Sequence, residues 1–374
     1  MKKFIDATST PLASIFGSGF LVIVPILNGA VGPYSLPAMV GVCGLAYAVG
    51  SVIRFNIRNT EPFLESGKAP PAAILFERIS DFALVLAYVI SVCLYLRILS
   101  SFLLSGLGMD NDLHEQIVTT AAITTILLIS VTKGLQALEM LEEWALWMTL
   151  VVIVAIFAGF IRYDYYAFTT SGIQWPAMPE HTWWQIATIV GGTLIVVQGF
   201  ETSRYLSEEF DTETRIRSCR MSQIISTCVY IVFIALATPL MHFLGGRVQE
   251  NGLIMLAGKA SVLLTFPLVA AAVMSQFSAA VADTLGGEGN MVEASNQRIQ
   301  SKAAYGIICG GAIILTWSAD TIEILAIASR AFAFYYLLQC FVAISVSKKL
   351  SQKSGMILLA AVLAFITVFA VPAG

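Results

Sequence analysis

Charge is what this sequence has least of. Only 12% of its 374 residues are Asp, Glu, Lys or Arg, and 57% are hydrophobic. A soluble domain carries about 25% charged residues, so this chain lacks the polar surface needed to cover a water-facing globule. The net charge of −3 supplies no broad positive field, which excludes nucleic acid as a partner. There are only three histidines (His114, His181, His242), widely spaced and without an H-E-x-x-H pattern, so a metal enzyme is not expected. None of the six cysteines falls in a C-x-x-C pair; they read as small membrane-packing residues. No G-x-x-x-x-G-K-[ST] loop is present, which argues against ATP-driven transport by this chain. No cleavage site with a soluble mature domain follows the first apolar run, so that run is expected to stay as a helix.

Long apolar runs are abundant. A membrane helix needs about 20 mostly apolar residues. Eleven stretches meet that length: 11–31, 34–54, 78–105, 113–132, 139–161, 184–207, 219–244, 258–285, 302–318, 322–347 and 355–372. The expectation is an all-α membrane protein. Residues 1–353 would form the core, and 354–374 one additional C-terminal helix. Lys and Arg in the connections set the orientation. With the N-terminus in the cytoplasm, the inner connections hold Lys2, Lys3, Arg54, Arg58, Lys68, Arg78, Lys133, Arg204, Arg215, Arg217, Arg220, Arg298, Lys302, Lys348, Lys349 and Lys353. The outer ones hold only Arg162, Arg247 and Lys259. The C-terminus then lies outside, and the compartment is a cell inner membrane. Tyr163, Tyr165, Tyr166 and Trp175 in the outer connection 162–183, with Trp183 and Trp184 after it, mark a membrane interface.

Two of these stretches are interrupted by glycine in mid-membrane. The first reads Gly17-Ser18-Gly19-Phe20, and the sixth reads Gly191-Gly192, then Gln198-Gly199-Phe200-Glu201. The positions match if the first five segments (11–161) and the next five (184–347) are halves, the second inverted. Such paired interruptions point to a midplane binding site in a transporter. Glycine lets the backbone leave helical geometry, and unpaired N–H and C=O groups in a membrane are tolerated only where they line a cavity or meet a ligand. A half-helix beginning at Gly17, Ser18 and Gly19 would offer N–H groups to a carboxylate. Carbonyls near Val197 and Gln198 would hold an ammonium group or a cation. Close helix packing by small residues is the alternative reading of these glycines.

At these residues the sequence resembles the amino acid–polyamine–organocation (APC) superfamily. Gly17-Ser18-Gly19-Phe20 through Gly32-Pro33 is similar to that family's first helix, and Gly199-Phe200-Glu201 followed by Glu208-Glu209 to its sixth; Lys133-Gly134 resembles a family connection. The resemblance implies the 5+5 inverted-repeat fold of the bacterial leucine transporter and secondary active transport of an amino acid or related amine by alternating access. It implies that Gly17, Ser18 and Gly19, with Phe20 beside them, bind the substrate carboxylate. It further implies that Gln198 and Gly199, with Glu201 next to them, bind the amino group and that Phe200 is a gate. Eleven helices are fewer than the family's usual twelve. The segment 139–161 lacks the mid-helix lysine of some proton-coupled members, and Asp283 to Glu293 is not the usual arginine-bearing sequence.

An ionisable residue at membrane depth is costly and is by default a functional candidate. Glu201 can take a proton or meet a cation. It can also support the half-helix that follows it and pair with Arg204. Arg97 and Arg330 fall in the outer halves of their segments with no obvious carboxylate partner; they suggest an electropositive vestibule for acidic solutes or, alternatively, snorkelling and carbonyl capping. Ser275 and Ser278, with Ser14 and Ile15 of the first segment, offer oxygens that suit sodium, and Asp283 is placed to join them or to carry a proton. A coupling ion, Na+ or H+, is therefore the only cofactor expected, and the partners are a small solute and the bilayer. Glu139, Glu142 and Glu143 suit a helix N-terminus and are given no chemistry. The remaining alternatives are an inorganic-ion carrier or channel on the same scaffold and a non-transporting membrane sensor or partner subunit. An enzyme is not expected.

Overall fold

A computed structural model of the chain describes residues 2–109, 111–132, 139–170, 172–207, 209–245 and 248–372, and it contains no strand among them. Lys133, Gly134, Glu208 and Arg247, named above, lie outside the described residues, as does the side chain of Ser18. Helix α1 (Lys2–Gly19) gives way after three non-helical residues to α2 (Ile23–Val31). Gly32, at φ 51°, ends α2 in a conformation that a side chain would oppose. Helix α3 (Ser35–Phe55) passes through a π-turn (Asn56–Thr60) into the short α4 (Glu61–Glu65). Next come α5 (Pro71–Gly106), α6 (Asp112–Thr132), α7 (Glu139–Thr170) and the short α8 (Trp183–Gly191). After an irregular stretch follow α9 (Thr212–Ala237), α10 (Gly252–Ala260), α11 (Thr265–Ala294), α12 (Ser301–Thr316), α13 (Thr321–Val346) and α14 (Leu350–Phe369).

Among the described residues, eight helical stretches are long and apolar enough to cross a membrane, with α2 to α4 counted as one, so this is a multi-pass membrane protein. Helices α1, α5 and α9 begin seven to nine residues earlier than the sequence reading has them, and two further boundaries differ in kind. The run at 258–285 is divided, because Ser261 is extended (φ −167°, ψ 129°) and stops α10 before α11 begins. Tyr163, Tyr165 and Tyr166 are not in a loop but continue α7 to Thr170, since no Gly or Pro interrupts the chain between Arg162 and Thr170.

Helix α5 is the axis of the bundle. It packs along α11 and α13, and 89% of its most apolar stretch is buried, against 28% for α6 and α14. A helix apolar on every face belongs in the interior, whereas one with most of its apolar residues exposed faces lipid. Close approach to α5 and α1 is made possible by small residues on α11: Gly17 of α1 would place a Cβ 2.9 Å from that of Ala279, and Gly286 and Gly287 lie against Tyr88 of α5. The starts of α9 and α13 are fixed by side-chain caps: Asp211 accepts from Thr214, and Asp320 and Glu323 form a reciprocal capping box. All six cysteines are free thiols.

Helix α3 meets α9 through Gly50. The Gln223 side chain crosses this spot, accepting from buried Arg54 and donating to Ala46 O at 2.7 Å. A Cβ on Gly50 would fall 2.1 Å from Gln223 Oε1. Gly50→Ala should therefore displace the amide, leave the Arg54 guanidinium short of an acceptor and lower stability by about 1–3 kcal/mol. Gly41→Ala, on the open face of the same helix, should not. Paired thermal denaturation of the two variants in detergent checks this.

Candidate functional site

Both interruptions are present, and they cross one another. Helix α1 ends at Gly19, and Phe20, Leu21 and Val22 are non-helical. Helix α8 ends at Gly191; a 3₁₀ turn (Leu194–Val197), an extended Gln198 and Gly199 at φ 122° follow, then a second 3₁₀ turn (Phe200–Arg204). A Cβ on Gly19 would lie 2.7 Å from Val196 Cα, and one on Gly199 would lie 2.6 Å from Ile15 N and Ser14 Oγ. The two backbones thus touch at two points, each made possible by a missing side chain.

The polar backbone groups freed at the crossing are taken up by side chains from neighbouring helices. Tyr230 of α9 reaches both breaks, its hydroxyl lying 3.2 Å from Ile15 O and 2.7 Å from Val196 O. Gln276 of α11 donates to Gly17 O at 2.8 Å. Ser329 of α13 donates to Gly192 O at 2.6 Å and accepts from Ile195 N at 3.2 Å. Glu201 Oε2 accepts from Gly199 N at 2.9 Å and from Tyr336 Oη at 2.7 Å, while Phe200 stacks on the Tyr336 ring with centroids 5.5 Å apart. Gln198 Nε2 donates to Tyr95 Oη of α5 at 3.0 Å. Without water, each unmade bond of this kind would cost several kcal/mol.

Several sequence expectations change here. The first break lies at 20–22 and not at 17–19, because the backbone stays helical up to the point where Gly19 meets Val196. Gly17 and Gly19 form the last turn of α1, with the Gly17 carbonyl accepting from Gln276 and the Gly19 carbonyl from Val22 N. The amides expected to hold a carboxylate there are not at a helix start. Phe20 is stacked on Phe233 with centroids 4.2 Å apart. Glu201 does not pair with Arg204: that arginine donates to Glu77 at 2.6 Å and Glu61 at 3.3 Å.

Of the candidate cation ligands, the fold brings Ser14, Ser275, Ser278 and Asp283 together. They line a cavity of about 20 Å³ between α1, α7 and α11, roughly the room one water molecule needs. Ile15 is not among them; its carbonyl turns to Tyr230. Asp283 also accepts from Ser91 of α5. The same cavity is lined by Glu142 and Thr149 of α7. Sequence reasoning gave Glu142 no chemistry, because nothing local says that the first turn of α7 faces α11.

Larger cavities lie at the two ends of α5. One, of about 550 Å³, is lined by Glu61, Glu77, Arg78, Asp81, Arg204 and Glu293, among others. The other, of about 580 Å³, is lined by Arg97, Asp112, Glu115, Glu250, Asp320 and Glu323, among others. Asp81 and Arg97 are separated by about 24 Å of helix at 1.5 Å per residue. The electropositive vestibule expected around Arg97 and Arg330 is therefore acidic in balance. Arg330 does not line either cavity and donates instead to Val368 O of α14, the carbonyl-capping alternative.

At the Arg204 end the second break is tied to the rest of the bundle. Arg215 of α9 pairs with Glu61 at 2.8 Å and donates to Arg204 O at 2.9 Å, and Gln339 of α13 accepts from Arg204 and from Asn56. Removing one member of a largely buried ion pair is costly because the partner charge stays behind.

A family model described as APC superfamily transporter matches residues 1–374. A protein of Aquifex aeolicus (strain VF5), described as uncharacterized, is 39% identical over 375 residues, covering 98% of this chain and 91% of its own length. Among solved structures, the manganese transporter of Eremococcus coleocola, in complex with an aromatic bis-isothiourea substituted compound, superposes with a TM-score of 0.57 at 12% identity, covering 96% of this chain and 85% of its own. That likeness concerns the fold.

Two outcomes test the crossing. Tyr230→Phe keeps the ring but removes the one hydroxyl that stands between the two breaks, and should lower stability by about 1–3 kcal/mol. Arg204→Gln should cost about 3 kcal/mol or more, by leaving Glu77 without its ion-pair partner while Glu61 keeps Arg215. Both are read as shifts of the unfolding midpoint of purified protein.

Proposed function

We propose that this chain, which belongs to the APC superfamily of transporters, is a secondary active transporter that carries a small solute with a positive charge, most simply an amino acid or related amine, by alternating access. The observation that carries the reading is the crossing of two helix breaks between two acidic cavities at opposite ends of α5. A site that lies between two cavities and is closed by backbone contact can be opened to one end at a time by moving one set of helices against another. The buried Glu201 supports a cationic solute or a proton: its Oε1 has no hydrogen-bond partner among the described residues.

The finer architecture is part of the proposal. Eleven spans follow if the broken α1–α2 and α8 with its 3₁₀ turns count as crossings and α12 as a short one. The packing supports a 5+5 inverted repeat, because helix pairs that such a symmetry would exchange both occur: α5 with α13 and α11 with α7, α5 with α6 and α11 with α12. The Arg204 end is placed in the cytoplasm by the basic connections at that end. The C-terminal α14 packs on α13 as an addition to that core. The Ser14, Ser275, Ser278 and Asp283 cavity is the proposed place for a coupling Na+ or H+, since a hard cation takes oxygen ligands.

An inorganic cation is the second reading, favoured by the manganese transporter with the similar fold and by the acidic cavities. Against it, no group of three or more His, Cys, Asp or Glu suited to a metal occurs among the described residues.

Uptake into proteoliposomes separates the two. Labelled L-lysine, L-leucine, cadaverine and Mn2+ are offered under a sodium gradient and, separately, a proton gradient. The expected result is uptake of an amine or amino acid, driven by one of these gradients and reduced at least tenfold by Gly199→Ala. That variant strains a φ of 122° and drives a methyl into the α1 backbone. Mn2+ uptake alone would establish the second reading, and no gradient-driven uptake of any of the four would sink the first. Asp283→Asn should abolish the dependence on the coupling gradient.

A further inference from the structure

Arg97 sits where a lone guanidinium is hard to explain by packing. It is 4% exposed, near the end of the most buried helix, and lines the cavity of about 580 Å³. Its Nε donates to Thr321 Oγ1 of α13 at 3.2 Å, which fixes the plane of the group. Its Nη1 has no hydrogen-bond partner among the described residues. Carboxylates are plentiful around the same cavity, yet among the described residues none forms an ion pair with it. A buried guanidinium that leaves a donor unused beside available acids is set up to receive an anion from outside the protein.

The acids then have their own part. Asp320 and Glu323 are engaged in capping α13. Asp112, Glu115 and Glu250 remain, and Glu115 is itself only 6% exposed. Three carboxylates beside one arginine repel a free inorganic anion but suit a molecule that brings a carboxylate for Arg97 and an ammonium group for the acids.

We propose that this cavity is a second solute site, an entry vestibule in which Arg97 takes the carboxylate of an amino acid while Glu115 and Glu250 take its positive charge. The proposal rests on the amino acid reading of transport given above. It differs in place, lying at the far end of α5 from the Arg204 network and apart from the helix crossing. Because the acids outnumber the arginine, an amino acid with a second positive charge is held more tightly than a neutral one. Its decarboxylated amine lacks the group that Arg97 recognises.

Equilibrium binding of labelled L-lysine and cadaverine to the purified protein in lipid nanodiscs, at low ionic strength and without any gradient, tests this. Wild type should bind L-lysine more tightly than cadaverine. Arg97→Gln should weaken L-lysine by about tenfold or more, the value of a charge-assisted hydrogen bond, and leave cadaverine unchanged or tighter. Arg97→Lys, which keeps the charge and loses the fork, should recover part of the preference. Glu115→Gln should weaken both ligands. The ratio of the two affinities in one sample is insensitive to the folded fraction, so a destabilised variant still reports. Equal binding of the two ligands by wild type, an L-lysine affinity unmoved by Arg97→Gln, or no L-lysine binding at millimolar concentration overturns the proposal. Intact binding with no uptake in proteoliposomes tells against the transport reading alone. Intact uptake with no Arg97-dependent binding tells against the entry site alone.

Discussion

The arrangement depends on one constraint: a backbone that leaves the helix inside a membrane has to find its hydrogen bonds elsewhere. Tyr230 answers it for both breaks at once, its single hydroxyl standing within reach of a carbonyl on each. Gln276 and Ser329 do the same for one break each, from α11 and α13. Because the satisfying groups come from three helices, the irregular centre is defined only when the whole bundle is assembled. That is why α5, with no break of its own, matters: it is the surface on which α11 and α13 are aligned.

A large part of this was legible in the primary structure. Apolar runs are set by the thickness of the bilayer, so the helices could be placed without tertiary knowledge. Gly-x-Gly in the first run and Gln198-Gly199 in the sixth could be located because only glycine fits an irregular backbone pressed against another. What could not be read was the other half of each contact. Nothing near Tyr230, Tyr336 or Ser329 in the chain marks them as donors to a break, since the oxygens they meet are more than thirty residues away. The first break fell three residues later than expected for the same reason, its position being set by Val196 on another segment. The acids around Arg97 come from loops and helix ends distant in sequence, which is why an electropositive vestibule stands among the sequence alternatives although the lining is acidic in balance.

Electrostatics and packing divide the molecule between them. Charge is concentrated at the two ends of α5, in cavities wide enough to hold water. The centre is closed by carbonyls, amides and aromatic faces, with Glu201 and Asp283 as its buried acids. This follows the cost of burying ions: the paired networks of Arg204 and Arg215 stay near an open end, and the acids at the centre are hydrogen-bonded by Tyr336 and Ser91.

The closed crossing also has a volumetric side. The cavity beside it has room for about one water molecule, and an organic solute is several times larger than that. On the proposed transport reading such a solute does not enter a waiting pocket; it has to part Gly19 from Val196 and Gly199 from Ser14. The loaded form is then a larger body than the closed one, and loading does work against the surrounding lipid. Lateral pressure in the bilayer becomes a term in affinity, so the same residues bind the same solute with different strength in a tightly packed membrane and in a loose one.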